Sequence, residues 1–474
     1  MKFNLNKKSG LTIELFFEGH DCDCKYYNQL KEKKIFEGKF KQVYVDIFEN
    51  FAFVGLGKKS ELTLNKIREA FFDLAKNLQA NNISEVQLEL EKIEGFCTAK
   101  VTSAIVEGFK QAEYSFDRFL KDKKEHKEFV LNCSLNIEAE KLEKVQKSVN
   151  ETLSLLDSVF LTRDLVNLPS NYIYPESLAL RAKEELEKVG AKVTIYGKAE
   201  AEKMGLHAFL AVGSGSDREP KFIVMEYSNK PDTEEKLALV GKGITYDSGG
   251  YSLKPSDGMK TMFCDMGGAG TVIGTIHAIA KAKLNINVVG VVAACENALS
   301  GHSYKPGDII SSLAGKTIEV DNTDAEGRVT LADSVYYAST VMKATKVIDL
   351  ATLTGACMVA LGEVYTGAVT NNQTFFDNLK EASKEAGEKI WQLPYDSEYA
   401  KLNKSRVADI KNTGGRLGGA ITAGMFVGEF NNNLPWIHLD IAGTAYLSSA
   451  YSYLPTGATG IHVKTLYNLA KSMQ

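Results

Sequence analysis

Apolar residues in the first part of the chain alternate between the spacing of strands and the spacing of helices. The segments 51–56 (FAFVGL) and 85–90 (EVQLEL) have the length and composition of strands. Between them, five apolar residues fall on one helical face: Leu64, Ile67, Phe71, Leu74 and Leu78. With a further helix at 98–112 and a strand at 128–135, this pattern predicts a small N-terminal α/β domain over residues 1–137.

A single long amphipathic helix is predicted to follow. Six apolar residues step by three or four along it: Leu142, Val145, Val149, Leu153, Leu156 and Phe160. Pro169 disfavours helical backbone in the residue before it, so the helix is predicted to end before that position. We interpret residues 138–166 as a linker helix between two domains.

The remainder, residues 167–474, alternates strand-like and helical segments. The predicted strands are 191–196, 207–212, 221–227, 236–240, 287–293, 346–350 and 436–441. This order predicts an α/β domain whose mixed or mostly parallel central sheet is covered by helices on both faces. Ligands of such sheets bind at the ends of the strands.

Composition restricts the partners of this chain. It has 474 residues, is 44% hydrophobic and carries a net charge of -4, so no basic surplus favours nucleic acid or anionic lipid. No apolar run reaches the length of a membrane span. Its seven cysteines are scattered and odd in number, which favours reduced thiols. We therefore expect a cytoplasmic protein without a membrane partner.

Charged residues concentrate in two glycine-rich segments, 240–270 and 321–328. Each segment follows an apolar run, 237–240 or 317–320, that is predicted to lead it to the edge of a buried sheet. Seven of their charged residues, four carboxylates and three cations, are singled out: Lys242, Asp247, Lys254, Asp265, Asp324, Glu326 and Arg328. Buried carboxylates require positive charge nearby, so these side chains are candidates for one site.

Taken singly, these acids have ordinary explanations. Asp265 has the sequence position of a helix cap, and Asp247 that of a turn residue. As a set, however, four clustered acids would repel one another and raise one another's pKa values. Two divalent cations about 3.5 to 4 Å apart would remove that repulsion. Carboxylate ligands favour magnesium or manganese over zinc, although a lysine ligand would add a nitrogen donor and change this preference.

Three motifs carry a resemblance to a known family. NTDAEGR at 322–328, VGKGITYDSGG at 240–250 and MFCDMGGAG at 262–270 resemble the leucine aminopeptidase (cytosol aminopeptidase) family of two-metal exopeptidases. Further stretches agree over about residues 160–474, among them PWIHLDIAGTAY at 435–446. The resemblance implies a metal-dependent aminopeptidase that hydrolyses the N-terminal bond of peptides.

The resemblance also implies a role for each charged residue. Asp247 and Glu326 would bridge two metal ions, zinc and/or manganese. Lys242 and Asp265 would complete an exchangeable site that magnesium or cobalt could also occupy, and Asp324 would complete the tighter one. Lys254 would stabilise the oxyanion of the reaction, and Arg328 would bind bicarbonate, the general base in this family.

The resemblance further implies an apolar pocket for leucine or another hydrophobic N-terminal residue. Met262, Thr352, Leu353 and Gly355 lie where substrate-binding residues are expected. The partners implied are peptides with a free N-terminus and five further copies of the chain in a homohexamer, a dimer of trimers. The N-terminal domain is expected to serve assembly or access.

Two other functions stay open on the sequence alone. A moonlighting nucleic-acid-binding regulator is one, against which the mildly acidic charge weighs. The other is a two-metal phosphoesterase, which uses similar carboxylates. Lys242 argues against the phosphoesterase, because such sites rarely include a lysine ligand. A serine hydrolase is disfavoured because the chain has no G-x-S-x-G.

Overall fold

A computed structural model of the chain describes residues 1–19, 24–122, 128–135 and 137–474. These residues form two compact units, Met1–Asp157 with Ala450–Leu454, and Ser158–Ser449 with Pro455–Gln474. Among the described residues, every helix is too short or too polar to span a bilayer.

The elements predicted for the N-terminal part are confirmed, with four additional ones. The strands are β1 (Lys2–Leu5), β2 (Leu11–Phe16), β3 (Val43–Asp46), β4 (Phe51–Gly55), β5 (Glu85–Leu90) and β6 (Val130–Leu135). The helices are α1 (Lys25–Glu32), α2 (Leu64–Ala80), α3 (Thr98–Ala112) and the long α4 (Ala139–Asn167). The boundary between the two compact units falls inside α4, after Asp157.

The N-terminal strands form one six-stranded sheet in the order β1-β6-β5-β2-β4-β3. All neighbours are parallel except β3 and β4. Successive side chains of a strand point to opposite faces. Phe53 of β4 accordingly packs with Phe16 and with Tyr27 of α1, while Val54 packs in the cluster that contains α2 and α3. The predicted small α/β domain is confirmed.

The larger unit contains the remaining elements. Its strands are β7 (Lys192–Tyr196), β8 (Lys221–Ser228), β9 (Leu237–Asp247), β10 (Asn287–Asn297), β11 (Ile309–Ser311), β12 (Thr317–Glu319), β13 (Lys346–Ala351), β14 (Thr366–Thr370), β15 (Ile390–Gln392), β16 (Ile410–Lys411), β17 (Trp436–Asp440), β18 (Tyr446–Leu447) and β19 (Gly457–Ala458). Its helices are α5 (Pro175–Lys188), α6 (Lys198–Lys203), α7 (His207–Val212), α8 (Ser256–Met259), α9 (Gly267–Lys281), α10 (Glu326–Thr340), α11 (Gly355–Leu361), α12 (Gln373–Ala386), α13 (Ser397–Ala400), α14 (Gly419–Gly428) and α15 (Val463–Ser472).

The central sheet of this unit has eight strands in the order β15-β14-β17-β13-β9-β10-β8-β7. The four middle strands β17, β13, β9 and β10 are mutually parallel, and β8 and β14 run antiparallel to their inner neighbours. Alternate residues of β9 and β10, such as Val240 and Val291, share a buried cluster with α7, α10 and α14. Helix α9 contacts β9, β10 and β13. The predicted α/β class with a mixed, helix-covered sheet is confirmed.

Two details differ from the sequence-based expectations. The predicted strand at 207–212 is wrong, because these residues form α7. A short apolar run cannot distinguish a strand from a buried helix, and here the buried Asp333 of α10 accepts a hydrogen bond (2.9 Å) from the backbone N–H of Phe209 in its first turn. The run 317–320 also lies outside the central sheet, since β12 belongs to a small sheet with β11 and β16.

Candidate metal centre

The candidate residues converge at the carboxyl edge of the four parallel strands. Asp247 ends β9, Asn297 ends β10, and Thr352 directly follows β13. Parallel strands present their carboxyl ends at one edge, which is where ligands of α/β sheets bind. Because β9 extends to Asp247, Lys242 lies within the strand and not in the loop after it.

Loops and helix starts supply the other members. Asp265 lies in a short 3-10 helix, Met262–Met266, that leads into α9. Asp324 lies in the turn before α10, and Glu326 and Arg328 are the first and third residues of that helix. The carboxylate of Asp265 does not cap α9, whose N-cap residue is Met266 without a side-chain cap. The two predicted segments therefore meet in space, although the fifty residues 271–320 separate them along the chain.

Lys242 is at the centre of the cluster and is buried. Its Nζ lies 2.7 Å from Oδ2 of Asp265 and 2.7 Å from Oε1 of Glu326. It also donates a hydrogen bond to the carbonyl oxygen of Thr352 (2.9 Å). Three carboxylates, those of Asp247, Asp265 and Glu326, each place an oxygen within 4.8 Å of the others. This spacing suits ligands that converge on a common ion.

Lys254 neutralises the other side of the cluster from the loop after β9. Its Nζ lies 2.8 Å from Oδ2 of Asp247 and 2.5 Å from Oδ1 of Asp324. Asp324 is only half-buried, whereas Asp247 is buried. The two lysines thus oppose the four carboxylates, which would otherwise repel one another.

Burial and charge shift the pKa values in this cluster. Burial alone lowers the pKa of Lys242, but the neighbouring carboxylates outweigh it and raise that pKa above its usual value. Burial raises the pKa of Asp265 and of Glu326, and Lys242 opposes both shifts. Burial and the charge of Asp247 raise the pKa of Asp324. Burial therefore makes the ionised acids unfavourable, and the lysines only partly offset this effect.

The donor set fits divalent cations. Within the described part of the chain, neither carboxylate oxygen of Glu326 has a hydrogen-bond partner of good geometry, although both are buried and Lys242 Nζ approaches Oε1. Buried carboxylate oxygens are normally hydrogen-bonded, so oxygens without partners indicate a ligand. Carboxylate oxygens together with one amine nitrogen are suitable ligands for manganese or zinc.

Because Gly327 has no side chain, the end of the Lys242 side chain can lie against its backbone. A Cβ at position 327 would lie 2.4 Å from Cε of Lys242 and 2.7 Å from its Nζ. Any larger residue here would displace the amine. The sequence motif contains this glycine, but only the structure shows that a side chain here would overlap Lys242.

Arg328 is buried beside the cluster. Its Nη1 donates a hydrogen bond to the carbonyl oxygen of Asn412 (3.0 Å), and its buried Nε has no hydrogen-bond partner among the described residues. Burial lowers its pKa to about 10. A buried cation with an unused donor is suited to an anionic ligand.

The four residues predicted to bind substrate lie around the end of β13 and before α9. The hydroxyl of Thr352 donates to Oδ1 of Asp265 (2.7 Å), so this residue contacts the carboxylate cluster directly. Leu353 is half-buried and its N–H donates to Asp440 (3.3 Å). Gly355 is exposed at the start of α11, with open space where a Cβ would be, and Met262 is half-buried.

Two buried asparagines were not predicted. Asn297 donates from Nδ2 to Oδ1 of Asp247 (2.8 Å) and to the carbonyl oxygen of Thr323 (3.0 Å). Asn412 contacts the loop 321–325 and Arg328. An asparagine at the end of a strand, or directly after one, carries no sequence signal of its own. Only the position of both residues in stretches that resemble the family could have indicated them.

Models of two domains of the cytosol aminopeptidase family match this sequence. The catalytic-domain model matches residues 160–467, and the N-terminal-domain model matches residues 21–123. Every candidate metal-binding or catalytic residue lies in the region that the catalytic-domain model matches.

Curated proteins and a solved structure are also similar. A probable cytosol aminopeptidase of Treponema denticola is 52% identical over 472 residues, 98% of each chain. One of Clostridium tetani is 48% identical over 484 residues, 100% of each chain. A solved structure of the bottromycin maturation enzyme BotP in complex with Mn is 29% identical with a TM-score of 0.88, covering 98% of this chain and 100% of that one.

Proposed function

Because the chain belongs to the cytosol aminopeptidase family and is a metal-dependent aminopeptidase, we propose that it removes leucine or another hydrophobic residue from the N-terminus of peptides. The observation that carries this proposal is the buried convergence of Lys242 with three carboxylates. Lys242 Nζ lies 2.7 Å from Oε1 of Glu326, but neither oxygen of Glu326 has a hydrogen-bond partner of good geometry among the described residues.

Five side chains would hold two divalent ions: Lys242, Asp247, Asp265, Asp324 and Glu326. Zinc and manganese are the proposed ions, and manganese is supported by the structural relative solved with Mn. Bound there, the ions would supply Lewis-acid polarisation of the scissile carbonyl and lower the pKa of a bound water. A free α-amine is a nitrogen donor, so its recognition by this site would restrict the enzyme to unblocked N-termini.

Lys254 is proposed to stabilise the negative charge that develops on the substrate carbonyl oxygen. Its ammonium faces Asp247 and Asp324, and neighbouring carboxylates outweigh burial to raise its pKa, so the side chain carries its charge at neutral pH. A fixed positive charge in a partly buried site stabilises an oxyanion more strongly than water does.

Arg328 is proposed to bind bicarbonate, which would accept the proton of the attacking water. All four carboxylates of the cluster are assigned as metal ligands, so none is left for the role of general base. The unused Nε of Arg328 and the burial of its guanidinium support an anion at this position. A homohexamer is the proposed assembly, which light scattering can test.

Three substrates test the proposed function with manganese-loaded protein. We expect hydrolysis of leucine p-nitroanilide, and no detectable hydrolysis of its N-acetylated analogue or of p-nitrophenyl phosphate. Turnover of the acetylated analogue at an equal rate would overturn recognition of the free amine. Preferential turnover of the phosphate ester would support a phosphoesterase instead.

A further inference from the structure

The side chain of Asn412 forms hydrogen bonds with the loop that leads into α10. Asn412 is fully buried and directly follows β16. Its Oδ1 accepts hydrogen bonds from the N–H groups of Asp321 (2.8 Å) and Asn322 (3.3 Å). Its Nδ2 donates to the carbonyl oxygens of Asn322 (2.7 Å) and Ala325 (3.3 Å). One amide therefore satisfies main-chain groups at both ends of the loop that carries Asp324.

The main chain of Asn412 contacts Arg328. Its carbonyl oxygen accepts the hydrogen bond from Nη1 (3.0 Å), and its N–H donates to the carbonyl oxygen of Glu319 (3.0 Å). Glu319 ends β12, so a strand fixes the position from which the carbonyl points. The same residue therefore touches the loop of the carboxylate ligands and the buried arginine.

We propose that Asn412 is a positioning residue that couples the metal ligands to the anion-binding arginine. Its side chain sets the path of residues 321–325, and thus the positions of Asp324 and Glu326, while its carbonyl orients Arg328. The inference rests on the proposed function, which assigns these three residues their roles. Groups that orient metal ligands typically contribute about 10- to 100-fold to metal affinity or activity.

A purely structural role is the competing explanation, and Asn287 provides a matched control for it. Asn287 is also buried, and its amide likewise accepts from the N–H of Lys230 (3.1 Å) and donates to the carbonyl oxygens of Lys230 (2.8 Å) and Thr233 (3.3 Å). Asn287 begins β10, whereas Asn297, which contacts Asp247, ends that strand. At the rise per residue of a strand, the two ends are about 30 Å apart, so the control lies far from the carboxylate cluster.

The test titrates Mn²⁺ into the metal-depleted full-length chain by calorimetry. We expect Asn412→Ala to weaken Mn²⁺ binding at one or both sites by about tenfold or more, and Asn287→Ala to leave both affinities unchanged. Asn412→Ala keeps the carbonyl that accepts from Arg328 but loses the side-chain bonds that hold residue 412 against the loop leading to that arginine. With Mn²⁺ saturating, the bicarbonate concentration for half-maximal activity should therefore rise severalfold in Asn412→Ala alone. If Asn412→Ala lost folding stability but showed neither of these two changes, Asn412 would have only a structural role and the proposal would be overturned.

Two further variants separate the possible failures. If Asp324→Ala also bound Mn²⁺ like the wild type, the metal assignment itself would be wrong. If Asp324→Ala lost a site while Asn412→Ala kept both affinities, only the positioning role would be wrong. Should Asn412→Ala not fold, Asn412→Asp keeps the accepting oxygen but loses both donated bonds, and wild-type Mn²⁺ affinity in the folded Asn412→Asp protein would overturn the proposal.

Discussion

The ammonium group of Lys254 lies 2.8 Å from the carboxylate of Asp247 and 2.5 Å from that of Asp324. Lys254 thus touches two of the proposed metal ligands without being assigned as one. A divalent ion would bind the same carboxylate oxygens and would share with the lysine the neutralisation of their charge. Its role and that of the ligands can therefore be separated experimentally.

Replacement of Lys254 by alanine should reduce catalysis and spare the metals. We expect kcat to fall by about a hundredfold or more, because the substituted enzyme would lack the charge proposed to stabilise the oxyanion. Metal content measured by mass spectrometry should stay at two ions per chain. Loss of an ion in this variant would place Lys254 among the ligands.

Removal of a ligand carboxylate should reduce metal occupancy and abolish activity together. We expect Glu326→Ala and Asp324→Ala each to lose at least one ion, since each deletes an oxygen donor from a small set. Asp321→Ala is the matched control, because Asp321 is an exposed acid of the same loop and its carboxylate accepts a hydrogen bond from Thr413. Two bound ions and full activity in Glu326→Ala would contradict the assignment.

A single methyl group at position 327 should displace the Lys242 amine. Gly327→Ala is compatible with the helical backbone of α10, but its Cβ would overlap the end of the Lys242 side chain. A shift of about 1 Å in a catalytic group can cost about a hundredfold in rate, so we expect kcat/KM to fall by that order. Gly301→Ala, which meets open space, should retain wild-type kcat/KM. An equally active Gly327→Ala enzyme would show that the amine need not stay in place.

The carboxyl group of Asp333 should make the stability of the catalytic unit depend on pH. Burial raises its pKa to about 7, against hydrogen bonds from the N–H groups of Leu313 and Phe209 that lower it. Between about pH 4 and 7 the folded chain holds a proton that the unfolded chain releases, so unfolding becomes easier as the pH rises through this window. The shift corresponds to about 4 kcal/mol at most.

Urea unfolding of the wild type and of Asp333→Asn at pH 5 and pH 8 measures this effect. The asparagine cannot ionise and offers one accepting oxygen where Asp333 offers two, so the variant should be less stable than the wild type at pH 5. We expect the difference to shrink or reverse at pH 8. A difference that does not change between the two pH values would show that Asp333 does not titrate in this range.

The periodicity of apolar residues predicted most of the fold. Strands bury every second residue and helices every third or fourth, whichever element they pack against. The run 207–212 shows where periodicity fails: its five apolar residues, 208–212, suit either a buried strand or a buried helix, and here they lie in α7. The small sheet of β11, β12 and β16 was likewise not predicted, since its strands are too short to show a period.

The sequence by itself determined which charged residues belong to the candidate site, because its motifs fix residue types and their spacing along the chain. Only the tertiary structure decided how these residues meet: Lys242 between Asp265 and Glu326, Lys254 between Asp247 and Asp324, and Asn412 against a loop some ninety residues earlier in the chain. Such contacts depend on the pairing order of strands far apart in sequence. Local patterns of residues do not encode that order. Strands become neighbours where their pairing buries the apolar faces of the sheet, whatever their separation along the chain.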